Sequence, residues 1–83
     1  MPIDYTKLRS LNARKLIFAL KKDGFYLRSQ SGSYQRYHHS DGRMVTVVFH
    51  GSGDTFTPKT LQTIIEEQAK WTEEDLMRLG IIK

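Results

Sequence analysis

Apolar residues recur at helical spacing in two parts of the chain and alternate in the part between them. Between Asn12 and Asp23, residues Ala13, Leu16, Ile17 and Leu20 fall at i, i+3, i+4 and i+7, a single stripe for one buried helix face. Asn12 or Ser10 can cap the start of this helix, and Gly24 follows where a left-handed residue ends it. Leu8 and Leu11 form an apolar lead-in. From Phe25 to Gln30 the pattern changes to alternation, with Phe25 and Leu27 on one side and Tyr26, Arg28 and Gln30 on the other, which predicts a strand. Ser31-Gly32-Ser33 reads as a turn, Tyr34 to His39 as a second strand, and Arg43 to His50, rich in valine and threonine, as a third. Asp41-Gly42 is the strongest hairpin signal in the chain.

Register follows from parity, because cross-strand neighbours must share a face. Val45, Val47 and Phe49 make the better core face of the third strand, leaving Met44, Thr46, Val48 and His50 on the other. Tyr37 is the most core-like residue of the second strand, so Gln35 and His39 share its side while Tyr34, Arg36 and His38 face outward. A three-residue loop, Ser40-Asp41-Gly42 with Gly42 left-handed, pairs Tyr37 with Val45 and Tyr34 with Val48 and keeps the faces matched. The same reasoning with a Ser31-Gly32-Ser33 loop pairs Gln30 with Tyr34 and Arg28 with Arg36. Two arginines directly opposed cost a few tenths of a kcal/mol, roughly, unless an anion lies between them.

Gly51-Ser52-Gly53-Asp54 lacks the lysine and spacing of a phosphate loop and reads as a flexible connector. Thr57-Pro58 then opens a helix as cap and first helical residue, with Leu61, Ile64, Ile65 and Ala69 as its stripe and Glu66-Glu67 toward solvent. Trp71 suits the joint to a last short helix, which the capping box Thr72-Glu73-Glu74-Asp75 opens, Leu76, Met77 and Leu79 anchor, and Gly80 ends. The order α-β-β-β-α-α predicts an α+β fold of two layers: a three-stranded antiparallel sheet with the helices on one face and the other face open.

Composition narrows the setting. The 83 residues read as one domain, 1–83, with a thin core. The chain contains no cysteine, which excludes a disulfide framework or a thiolate zinc site and fits a reducing cytoplasm. The start, Met1-Pro2-Ile3-Asp4-Tyr5, lacks the apolar run of a signal peptide, and no stretch approaches membrane-spanning length. The formal charge is +4 but uneven: Met1 to Arg43 carries nine Lys/Arg against three Asp/Glu, and Met44 to Lys83 four against six. A basic half that contains most of the sheet points to an anionic partner, nucleic acid first among them.

The predicted open face interleaves arginines with tyrosines and histidines, a surface suited to phosphates and stacked bases. A histidine there can take a ribose 2′-hydroxyl proton or protonate a leaving oxygen, so RNA itself would supply the nucleophile. The plainer readings stand beside these. His38 and His39 flank a turn and read equally as solvated strand-end residues, Tyr34 as packing on an imperfectly covered sheet, and Lys21-Lys22 as charges suited to the end of a helix dipole. His38 and His39 point to opposite faces of a strand, so neither a metal nor another cofactor is expected.

The run Lys22-Asp23-Gly24-Phe25, then Gly32-Ser33-Tyr34-Gln35-Arg36-Tyr37, Asp41-Gly42-Arg43, Val45-Thr46-Val47 and His50-Gly51 resembles the HicA/YcfA family, and Thr60-Leu61 to Ile65 resembles that family's second main helix. The resemblance spans residues 12 to 76. It implies a double-stranded-RNA-binding-like fold, a toxin of a type II toxin–antitoxin pair, metal-independent cleavage of mRNA in the cytoplasm, and a HicB-like antitoxin that binds over the active site. The family pattern is Gly-Ser-His with a catalytic histidine; here Gly32-Ser33 precedes Tyr34. The candidate catalytic residues are therefore Tyr34, by position, and His38 and His50, by chemistry. Arg28, Arg36, Lys22 and Ser33 are the candidate RNA contacts. A non-catalytic module binding RNA or protein, and a dimerisation domain burying the valine and tyrosine face, are the alternatives.

Overall fold

A computed structural model describes residues 3–82; Met1 and Pro2, read above for a signal segment, and Lys83 lie outside the described residues. Helix α1 spans Ala13–Lys22, with the Asn12 side chain accepting the Lys15 N–H as its cap and Gly24 beyond its end at φ +102°. Strands β1 (Tyr26–Ser31), β2 (Tyr34–His38) and β3 (Met44–Val48) form an antiparallel sheet in the order β1-β2-β3. Helix α2 (Pro58–Gln62) is capped by Thr57 and continues directly as a π-helical segment, Thr63–Gln68. Helix α3 (Glu73–Arg78) opens on the expected capping box between Thr72 and Asp75. The lead-in of the sequence is a short 3₁₀ turn, Tyr5–Leu8.

The layers are those the periodicity predicts. Leu16, Ala19 and Leu20 of α1, Leu61 of α2, Ile64 and Ile65 of the π-helical segment and Leu76 of α3 share one buried cluster with Tyr37, Val45 and Val47. Tyr34, Met44 and Val48, on the opposite face of the same strands, are exposed. All helices therefore cover one face, and the other is bare. Trp71 is buried at the joint between the last two helical segments, as expected, whereas Met77, expected to anchor α3, faces solvent.

The second hairpin has the predicted register, with Tyr37 opposite Val45, Arg36 opposite Thr46 and Tyr34 opposite Val48, and Gly42 is left-handed at φ +98°. The first hairpin departs from prediction. Its loop is two residues, Gly32-Ser33, so Ser31 pairs with Tyr34, Gln30 with Gln35 and Ser29 with Arg36. A loop shorter by one residue would mismatch the faces, and a bulge between Leu27 and Ser29 restores them by leaving Arg28 unpaired. The correction relieves the opposed arginines: Arg36 faces a serine instead of a like charge. It also exchanges residues between faces, bringing Ser29 and Ser31 to the open face and taking Gln30 away from it. As an edge strand, β1 is exposed along its whole length, including Leu27 at 43 %, so only Phe25 of its predicted core side is buried.

Two connections are more ordered than their composition suggests. The carbonyls of Asp54 and Ser52 accept the N–H groups of Ala13 and Arg14 at 2.8 and 3.0 Å, so the Gly51–Asp54 loop closes the start of α1 rather than acting as a flexible connector. The Gln68 side chain accepts the Thr46 N–H at 2.8 Å, which covers part of the outer edge of β3.

Candidate nucleic-acid interface

The open face is assembled from three strands by register. Tyr26, Ser29 and Ser31 of β1, Tyr34, Arg36 and His38 of β2, and Met44, Thr46 and Val48 of β3 lie on it. Near the first hairpin Ser29, Ser31, Tyr34 and Arg36 border a depression of about 240 Å³. Tyr34 is 53 % exposed, and Arg36, also exposed, makes no ion pair among the described residues. A guanidinium without an acidic partner, two hydroxyls and an exposed ring are what a phosphate and its neighbouring base require. Arg28 is exposed at the bulge beside this depression and is likewise without an ion pair among the described residues.

The other sequence-predicted residues lie elsewhere. His38 pairs with Tyr26 and Met44 at the far end of β2, its ring 6.3 Å from that of Tyr26. Four residue steps along the strand take it from Tyr34, about 13 Å at ~3.3 Å per residue. Its Nε2 is closed off from solvent and has no hydrogen-bond partner among the described residues. His50, expected to continue the alternation of β3 onto the open face, follows the end of the strand, so the period of two no longer applies to it. Its backbone N–H donates to Asp54 Oδ2 at 2.9 Å, and with Ser33, Gln30 and Gln35 it borders a separate depression of about 310 Å³. Ser33 therefore accompanies His50, not Tyr34. Lys22 closes the last turn of α1 and lies in the helical layer, bordering a groove with Arg14, Lys15 and Phe18. The predicted residues thus meet in two pairs, Ser33 with His50 in one depression and Tyr34 with Arg36 in the other, the latter with the serines of β1 that the straight-strand reading missed. The legible signal for those serines was the unfavourable Arg28–Arg36 pairing itself.

A second polar cluster, missed in the sequence, sits at the opposite end of the sheet. The Asp23 carboxylate, 8 % exposed, accepts from Trp71 Nε1 at 2.9 Å and Arg78 Nη2 at 2.8 Å, and lies 3.1 Å from Arg43 Nη1. Arg43 also donates to the Ala69 carbonyl at 2.7 Å and to Asp41 at 2.7 Å, and stacks 4.9 Å from the centre of the Phe25 ring. His39 Nε2 lies 2.8 Å from the Asp23 carbonyl oxygen, which can only accept, so this nitrogen carries the hydrogen; Nδ1 then accepts the Asp41 N–H at 3.1 Å. Burial pushes the Asp23 carboxyl up, but the hydrogen bonds from Trp71 and Arg78 and the charges of Arg43 and Arg78 outweigh it and hold the group below the usual carboxylate range. An aspartate at the negative end of a helix dipole is locally unfavourable, and that was the signal in the sequence that cations lay near it. Its partners are satisfied internally, so this cluster joins α1, the second hairpin and α3 and is a structural element. Among the described residues no group of three or more His, Asp or Glu lies where it could hold a metal ion.

A family model described as the HicA toxin of bacterial toxin–antitoxin systems matches residues 13–71, from the first residue of α1 to Trp71. The chain belongs to the HicA toxin family. A comparison with curated proteins finds no match. The matched span contains α1, the sheet, α2 with its π-helical continuation and the depression at Tyr34 and Arg36, so membership attaches to the open-faced unit. At this level the protein is a toxin of a toxin–antitoxin pair and has an antitoxin as its partner. No helix among the described residues is long and apolar enough to cross a membrane.

Proposed function

We propose that this HicA-family protein is an RNA-directed toxin domain that holds mRNA on its open sheet face in the cytoplasm and has little or no cleavage activity of its own. The observation that carries this reading is the depression where Tyr34 and Arg36 meet without an imidazole: His38 lies at the other end of the strand and His50 in a separate depression. An arginine free of acidic partners can grip a phosphate, and an exposed tyrosine ring can stack on a base, but a phenol lacks the imidazole's capacity to act as general base toward a 2′-hydroxyl at neutral pH. Binding is thus supported by the groups present, whereas proton transfer is not. A HicB-like antitoxin would cover the same face. The exposed side chains of Tyr26, Tyr34, Met44 and Val48 give that face the apolar content a protein interface needs.

The test uses a labelled single-stranded RNA, read by filter binding and by gel. The native protein is expected to bind without cutting. Arg28→Ala with Arg36→Ala is expected to weaken binding about tenfold and to flatten the log–log salt dependence by about 1.4, as two lost phosphate contacts require. Unchanged binding would remove the phosphate role. Tyr34→His is expected to introduce cleavage. If the native protein already cuts RNA, single substitutions of Tyr34, His38 and His50 identify the proton-transfer group and the non-cleaving reading fails.

A further inference from the structure

The helical side of the molecule carries a groove that the RNA reading does not use. It runs between α1, the 3₁₀ turn and the residues just after α3 and encloses about 550 Å³, the largest of the depressions described. Its rim carries Lys7, Arg14, Lys15 and Lys22, and no acidic side chain among the described residues borders it. None of these four cations has an ion-pair partner among the described residues. Leu11, Leu79 and Ile81 supply an apolar floor, and Phe18 stands at its edge 67 % exposed. Arg14, Phe18 and Lys22 follow one another at i, i+4 and i+8 on α1, so the stripe extends about 12 Å at ~1.5 Å per residue, a little over two helical turns. The charge changes sign only beyond Lys7, where Asp4 and Glu73 border the neighbouring depression.

We propose that this groove takes an acidic amphipathic helix of a protein partner, at a surface separate from the open sheet face. Charge complementarity names the occupant: unpaired cations around an apolar floor match a helix with leucine-like side chains at i, i+3, i+4 and i+7 and carboxylates flanking them. A nucleic acid would use the cations but not the aliphatic floor, and a single aromatic is a poor stacking platform for successive bases. Because α1 covers one face of the sheet and RNA is assigned to the other, a partner held in the groove would leave Arg36 and Tyr34 accessible. The proposal does not depend on the RNA reading.

The experiment measures binding of a fluorescein-labelled, stapled 15-residue peptide by anisotropy. The peptide carries leucine at i, i+3, i+4 and i+7 and glutamate at most other positions. Its control has the same composition with the leucines scrambled off a common face. The patterned peptide is expected to bind at least tenfold more tightly than the control. Phe18→Ala and the pair Lys15→Glu with Lys22→Glu are each expected to cost fivefold or more, while Arg36→Ala changes nothing. All these positions are exposed, so the variants are expected to keep the native thermal transition. Equal binding of the two peptides, or groove variants within twofold of native, overturns the proposal. A twelve-base-pair RNA duplex whose binding falls tenfold with Lys15→Glu and Lys22→Glu, when the peptide shows no such loss, also overturns it and assigns the groove to nucleic acid.

Discussion

Arg36 and Arg43 are the same residue type on neighbouring stretches of one small sheet, yet their surroundings differ in kind. Arg43, its side chain 19 % exposed, is held by two carboxylates, a carbonyl and an aromatic ring. Arg36 lies on the open face opposite a serine and a threonine and has no acidic partner among the described residues. Desolvated charge that is fully partnered holds elements together and is costly to disturb. Charge left solvated and unpartnered contributes little to the fold and remains available to a ligand. The contrast separates the arginine that holds this fold together from the one left available to a ligand.

The strongest way to break that contrast is to remove Asp23. Asp23→Ala leaves Arg43 half-buried without one of its two counter-charges and Trp71 Nε1 without an acceptor, and is expected to cost on the order of 3 kcal/mol. For a domain of this size that lowers Tm by more than about 10 °C in thermal denaturation. A loss below about 1 kcal/mol would show that the cluster is decorative.

Acid titration sharpens the same point with a smaller effect. The folded-state pKa of Asp23 lies below its unfolded value, so its contribution is fully present above about pH 4 and fades as pH falls through the lower, folded value. Asp41 and Asp75 are shifted in the same direction: burial pushes Asp41 up, but the backbone and side-chain hydrogen bonds from Arg43 outweigh it, and the Thr72 N–H lowers Asp75 against a smaller burial effect. Urea denaturation between pH 6 and pH 2 is expected to show stability level down to about pH 5 and falling below about pH 4. Asp23→Asn, less stable at neutral pH, is expected to show a shallower acid decline. An equal slope in both proteins would place the acid sensitivity elsewhere.

The smallest expected effect belongs to the other arginine. Arg36→Ala is expected to change stability by no more than about 0.5 kcal/mol, since nothing in the described structure depends on its charge. A larger loss in the same denaturation experiment would mean that Arg36, too, is part of the fold.

Much of the fold was legible because it is encoded at short range. Asn12, Thr57 and Thr72 cap their helices through side chains that reach backbone groups three residues on, and Gly24, Gly42 and Gly80 take the positive φ that ends a helix or closes a turn. Alternation in the second and third strands identified Tyr37, Val45 and Val47 as support and left Tyr34, Arg36 and His38 on the other face. The three-residue loop before Arg43 followed from parity alone. Where the strand stopped, the inference stopped with it: His50 lies past the end of β3, and no period places a residue in a loop.

Three features were decided only by tertiary structure. The bulge at Arg28 depends on which side chains meet across two strands, so it replaced the straight pairing that would have opposed two arginines and, in doing so, chose Ser29 and Ser31 as the neighbours of Tyr34 and Arg36. The Gly51–Asp54 loop is ordered by N–H groups at the start of α1, far from it in sequence. Asp23, Arg43, Trp71 and Arg78 come from separate elements, and each looked like an ordinary surface or joint residue until the fold brought their charges and donors together. The sequence by itself determined the elements, their caps and the faces of two strands, because those depend on neighbours within a few residues. Which arginine is locked and which is free depends on partners distant in the chain, and only the packed structure supplies them.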